Sequence, residues 1–157
     1  MPILYAVLKN LVGAGEAKSF FSAQEQQLIV DAIQTAESKT SGEIRVHIEN
    51  FCFGSEVMRA QKVFTKLKMH LTNDRNGVLI YIAVSHKKIA IIGDEGIHAK
   101  LGDAYWENLV KNLISNFQRN KKGEGLAESI IECGKQLGNF FPRHAGDKDE
   151  LSNSISF

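Results

Sequence analysis

The stretch from Arg75 to Ile97, RNGVLIYIAVSHKKIAIIGDEGI, decides the fold. Val78 to Val84 is a β-branched apolar run of strand length, and Ser85-His86-Lys87 is a tight connection. Lys88 to Ile92 is a second strand that closes on Gly93-Asp94-Glu95-Gly96. Chain reversal sets Asp94 near Asn76, so polar and charged groups gather at the open end of this hairpin.

Upstream, Glu43 to Glu49 alternates, with Ile44, Val46 and Ile48 on one side and Glu43, Arg45, His47 and Glu49 on the other. That is the period of a strand with one buried face, placed at an edge or under partial solvent cover. Phe51-Cys52-Phe53-Gly54 turns the chain, and Ser55 caps a helix in which Ala60, Phe64, Leu67 and Leu71 share a face. A strand, a helix and a strand in one sheet form a right-handed parallel unit, which puts the N-terminal ends of Glu43–Glu49 and Val78–Val84 on one edge. The next strand runs antiparallel and returns its C-terminal end to that edge.

A capping box, Ser22 with Glu25, starts a helix whose apolar face is Leu28, Ile29, Ala32, Ile33 and Ala36, and Thr40-Ser41-Gly42 follows its end near Ser38. Residues 1–21 read as a helical extension, with a short helix ending near Gly13-Ala14-Gly15 that packs on the domain. An alternative is a contact face for another chain formed by Ile3, Leu4, Val7 and Leu8. Ala104 to Gln118 is helical with Trp106, Leu109, Val110, Leu113, Ile114 and Phe117 as its apolar face, and Leu126 to Phe140 is the last helix. Lys121-Lys122-Gly123-Glu124-Gly125 between them reads as a loop with a solvated basic pair, and 143–157 reads as a flexible polar tail. The fold class is α/β, with one domain over 22–142.

The 157 residues are 43% hydrophobic and 24% charged, ordinary for a globular domain, and the formal charge of +1 supplies no overall field toward nucleic acid or anionic lipid. Cys52 and Cys133 lie far apart without a CxxC pair, which reads as two free thiols in a reducing compartment. No segment is long and apolar enough to insert in a membrane, and the expected location is the cytoplasm. No GxSxG, HExxH, P-loop or GxGxxG pattern occurs, and no ladder of basic and aromatic residues suggests nucleic acid. His47 and His86 read as surface side chains, and Trp106 as packing.

At the shared edge the topology brings together Glu43, Arg75, Asn76, Asp94 and Glu95, with Asp103 where the next helix begins. Several carboxylates around one Asn suit a hard cation, Ca²⁺ or Mg²⁺, with Glu43, Asp94, Glu95 and Asp103 as ligands and Asn76 lending its amide oxygen. Glu37 is near enough in sequence to add an oxygen behind Glu43. An equally simple alternative makes Asp103 a helix cap, Asn76-Gly77 a turn, and Asp94 the partner of Arg75 in a salt bridge that stabilises by less than about 1 kcal/mol.

The residues Ala36-Glu37-x-x-Thr40-Ser41-Gly42-Glu43-Ile44-Arg45-Val46, Arg75-Asn76-Gly77-Val78-Leu79-Ile80-Tyr81 and Ile92-Gly93-Asp94-x-Gly96-Ile97 resemble the TPM domain family, in order and from about Ser22 to Phe141. The resemblance implies a three-layer α/β/α sandwich on a small mixed sheet of three to four strands. It also implies divalent-cation binding, acid phosphatase activity, or an accessory role toward a protein partner in assembling or repairing membrane complexes. For a phosphatase, Asp94 and Asp103 would supply the carboxylates and Arg75 would hold the phosphate. Gly93-Asp94-Glu95-Gly96-Ile97 stands where thylakoid members more often carry Gly-Tyr-Gly-Leu-Glu.

Overall fold

In the computed structural model, which describes residues 3–7 and 16–157, the strand Gly77–Ala83 (β3) is buried at every position and forms the centre of the sheet. It pairs in parallel with Glu43–Glu49 (β2), Glu43 opposite Gly77, and antiparallel with Lys88–Gly93 (β4), Val78 opposite Gly93. The edge inferred from the crossover rule is therefore present. A fourth strand, Ile3–Val7 (β1), pairs antiparallel with β4, and the order is β1-β4-β3-β2.

That strand corrects the helical reading of the N-terminal extension. Ile-Leu-Tyr-Ala-Val is rich in strand formers, and β4 offers an open hydrogen-bonding edge that a helix would leave unpaired. The side chains of Ile3, Leu4 and Val7, and all of Leu8 and Gly13 to Gly15, lie outside the described residues. The contact face read from the first four of these residues therefore receives no structural description.

Helices cover both faces. Ala23–Glu37 (α1), Glu95–Gln118 (α3) and Lys122–Phe140 (α4) lie over Ile44, Val46, Ile48, Val78, Ile80, Ile82, Ile89 and Ile91, while Glu56–Lys66 (α2) covers Leu79, Tyr81, Ala83, Ala90 and Ile92. This is the three-layer α/β/α sandwich. The Ser22–Glu25 capping box is formed, with the Ser22 side chain accepting from the Glu25 amide and the Glu25 carboxylate accepting from the Ser22 amide. Both cysteines are buried free thiols.

α3 begins nine residues before Ala104 and breaks at Gly102, whose φ of 74° is left-handed. α4 begins at Lys122, so the expected loop over 121–125 is mostly helix. Gly123 and Gly125 have poor helix propensity, yet an added Cβ would meet Glu25 at 2.5 Å and Asn116 at 2.3 Å. Close packing against α1 and α3 overrides propensity there. Lys122 is not freely solvated: its Nζ lies 4.4 Å from the centre of the Phe20 ring. Among the described residues no helix is long and apolar enough to cross a membrane.

The C-terminal segment is docked rather than free. Ser156 bridges β2, accepting from the Ile48 amide at 2.9 Å and donating to the Val46 carbonyl at 3.0 Å. His47, expected at the surface, is consequently buried, with Nδ1 2.8 Å from Ser156 Oγ and Nε2 3.2 Å from Glu49 Oε1.

The most extensive helix packing is between α1 and α4, where a Cβ at Gly134 would lie 2.5 Å from Ala36 Cβ and 2.8 Å from Ala36 Cα. Gly134→Val should lower the unfolding free energy by about 1–3 kcal/mol in urea denaturation, with an unchanged m-value. An unaltered midpoint would contradict this close approach.

Candidate functional site

Asp94 follows β4 directly and is fully buried. Its backbone amide donates to the Gly77 carbonyl at 2.9 Å, and its carboxylate accepts the Glu95 amide at 2.8 Å as the N-cap of α3. The Arg75 guanidinium donates to both carboxylate oxygens, at 2.8 and 3.0 Å. This bidentate pairing leaves Asp94 saturated, and it raises the pKa of Arg75. The salt-bridge alternative is the one present, with one difference: Asp94, not Asp103, is the cap.

Glu95 and Asp103 are 71% and 74% exposed in their side chains. Glu95 reaches Arg75 only at 3.8 Å, and Asp103 lies 3.7 Å from His98 beyond the Gly102 break. The structure therefore does not gather Glu43, Asp94, Glu95 and Asp103 into one ligand shell. Among the described residues no group of three or more His, Cys, Asp or Glu side chains is placed to hold a metal ion.

What it gathers instead is a pair. The C-terminal end of α1 delivers Glu37, whose Oε1 accepts the Ile44 amide at 2.8 Å, and Glu43 opens β2 beside it. Both are buried. Glu43 Oε1 accepts the amide of Glu150 from the C-terminal segment. Glu37 Oε2 and Glu43 Oε2 are buried without a partner, as is Asn76 Oδ1 at the start of β3, while the Asn76 amide nitrogen donates to Ser41 Oγ at 3.2 Å. The two carboxyl groups can satisfy their oxygens only by sharing a proton, and Asn76 Oδ1 at the same edge has no donor.

The electrostatics follow from burial. Desolvation is the main cause that pushes Glu37 up to about 8 and Glu43 up to about 7; Glu43 and Asp149 add to the rise at Glu37, and Asp149 and Glu150 add to that at Glu43. The pair therefore retains protons at pH values where ordinary carboxyls are ionised. Arg45, on the same face as Glu43, is lowered by desolvation, and its Nε is a buried donor without a partner. Sequence reasoning placed Glu37 behind Glu43 and missed the contribution of Asp149 and Glu150, because nothing in a polar tail signals where it docks.

The donor set fits a hard divalent cation in kind: two carboxylates and an amide oxygen. It falls short of the about six to eight oxygens that Ca²⁺ takes, so water would complete the shell.

The family model of the TPM domain matches residues 16–136. The chain belongs to the TPM domain family. Among solved structures, this TPM domain is similar to the BA42 protein of the psychrophilic bacterium Bizionia argentinensis, at 42% identity and a TM-score of 0.81, over 87% of this chain and 94% of that one. It also shares its fold with the N-terminal domain of a P. gingivalis protein, at 16% identity and a TM-score of 0.62, over 83% of each chain. No match is found among curated proteins.

Two outcomes test this geometry. Asp94→Ala removes the cap of α3 and leaves the Glu95 amide without its acceptor, so it should cost about 1–2 kcal/mol in urea denaturation, and an unchanged midpoint would deny Asp94 its structural role. The second is pH dependence. Glu37 and Glu43 bind protons more tightly in the folded chain than in the unfolded one, where carboxyls titrate near about 4.3. Their contribution to stability is therefore full below that value and is lost as pH rises through 7 to 8. In the presence of chelator, the urea midpoint should fall from about pH 5 to about pH 8, and Glu37→Gln, which supplies a permanent donor, should flatten the fall. A slope that Glu37→Gln leaves intact would assign the effect to other groups.

Proposed function

We propose that this TPM domain is a divalent-cation-binding accessory or interaction module whose cation is held at the Glu37–Glu43 pair with help from Asn76. The observation that carries this reading is the set of buried, unpartnered oxygens on those three residues. Two carboxyl groups brought together out of water require either a proton or a cation, and at neutral pH a divalent cation supplies both positive charges in one atom. Of the residues expected from sequence, Glu43 and Asn76 stay in the set, Glu37 joins them, and Asp94, Glu95 and Asp103 serve elsewhere.

The phosphatase alternative gains less support. Arg75, the expected phosphate ligand, spends its guanidinium on Asp94, and Asp94 is neither exposed nor free to attack a substrate. A cation at the pair would act by fixing charge and geometry at the β2–β3 edge, and the protein's own residues there bind and orient without a nucleophile being presented.

The experiment is an NMR titration of chelator-treated protein with Ca²⁺ and then Mg²⁺. Saturable amide shifts are expected around Glu37, Glu43, Ile44 and Asn76, with a rise in thermal midpoint equivalent to about 3 kcal/mol at a hundredfold excess over Kd. Glu37→Gln combined with Glu43→Gln should abolish both effects, while Glu95→Gln and Asp103→Asn should leave them. Absence of shifts at millimolar cation, or shifts that survive the double substitution, would remove this reading.

A further inference from the structure

At the opposite end of β2 and β3, the turn after β2 displays large apolar side chains to solvent. Phe53 is 85% exposed, and Phe51 and Met58 are exposed by more than half. The chain does not leave them there through looseness. Lys88 Nζ donates to the Cys52 carbonyl at 3.1 Å and the Gly54 carbonyl at 2.6 Å, and the Cys52 amide donates to His86 Nδ1 at 3.0 Å. The rings of Phe51 and Phe53 stack at 5.8 Å, and the His86 ring meets each edge-on at 5.4 and 4.9 Å. Gly54, with a φ of 87°, makes the sharp reversal that puts Phe53 at the tip.

The rim of this patch is basic. Arg59 and Lys62 project from α2, Lys87 comes from the turn between β3 and β4, and Lys88 opens β4. The acidic residues in the same stretch are Glu49, which is bound by Arg59 Nε and Nη2 at 2.7 Å each, and Glu56, which is buried. Glu16, brought to the flank by the hydrogen bond from the Ala17 amide to Asn50 Oδ1, is offset by Lys18. Beside the aromatic tip, a cleft of about 620 Å³ is lined among others by Phe51, Phe53, Met58, Lys62 and the paired Glu49 and Arg59.

We propose that this tip is a membrane-docking surface, by which the protein lies on an anionic bilayer without crossing it. An acidic peptide would neutralise the cations and leave Phe53 in water. An anionic lipid surface meets both demands, because the aromatic tip enters the acyl boundary while Lys62 and Lys87 stay at the phosphate level. The shape agrees, since the apolar groups stand out from a braced turn with the Phe53 ring at its tip. This surface shares no residue with the Glu37–Glu43 pair and goes beyond the cation reading.

The test is sedimentation of the full chain with phosphatidylcholine vesicles, with and without phosphatidylglycerol. Binding should require phosphatidylglycerol and weaken with added salt. Phe51→Ser with Phe53→Ser, and separately Lys62→Glu with Lys87→Glu, should each lower the partition coefficient at least about tenfold, with unchanged thermal midpoints because these side chains carry little packing. No binding to the anionic vesicles, or equal binding by both variants, overturns the proposal. Binding of a poly-glutamate peptide without vesicle binding also overturns it, in favour of an acidic protein partner.

Discussion

The arrangement of the sheet edge depends on one carboxylate that has no access to water. Taking Asp94 out of solvent costs several kcal/mol on its own, and it is tolerated only because Arg75, the Glu95 amide and the N-terminal end of α3 all present positive charge to it. These contacts tie three segments that are separate in sequence: the turn before β3, the end of β4 and the start of α3. Arg75 accepts a left-handed backbone with φ of 50° to reach its partner. Its carbonyl then receives the Gly96 amide at 2.8 Å, so close that a Cβ at Gly96 would lie 2.7 Å from that oxygen. The chain's own contacts hold this edge together.

Beside that frame, the Glu37–Glu43 pair is the group that satisfies itself only by keeping a proton. Its carboxyls are held by backbone amides from two different directions, Ile44 within β2 and Glu150 from the C-terminal segment. The C-terminal segment has a second effect. By pairing Ser156 with Val46 and Ile48 it covers part of the free edge of β2, the strand that would otherwise present unpaired backbone groups to another chain. Covering the edge and burying the pair are one event, which links the protection of the strand to the raised proton affinity beneath it.

The central hairpin and the crossover were legible because each rests on local pattern: β-branched runs for β3 and β4, strict alternation for β2, and a capping box for α1. The parts that were not legible rest on distant contacts. The start of α4 depends on Glu25 and Asn116 accepting two glycines, the burial of His47 depends on a serine about a hundred positions away, and β1 depends on a free edge that only the assembled sheet has. The site divides in the same way. Asp94 with Arg75 follows from the hairpin's geometry, so it was one of two open readings. Glu37 moves from a supporting position to the centre because the turn over 38–42 folds its carboxylate onto the Ile44 amide, a detail that spacing does not encode.

A formal charge of +1 describes neither end of this molecule. β2 and β3 are seven residues long, so their two ends are separated by about 20 Å, more than twice the about 8 Å over which charges interact at physiological salt. Glu37, Glu43, Asp149 and Glu150 gather at one end, and Arg59, Lys62, Lys87 and Lys88 at the other. The two fields act separately, and each attracts its own counter-charge. Overall neutrality therefore removes no class of charged partner in this fold. The decision falls to each edge's own chemistry: buried and oxygen-rich at one end, basic and tipped with aromatic rings at the other.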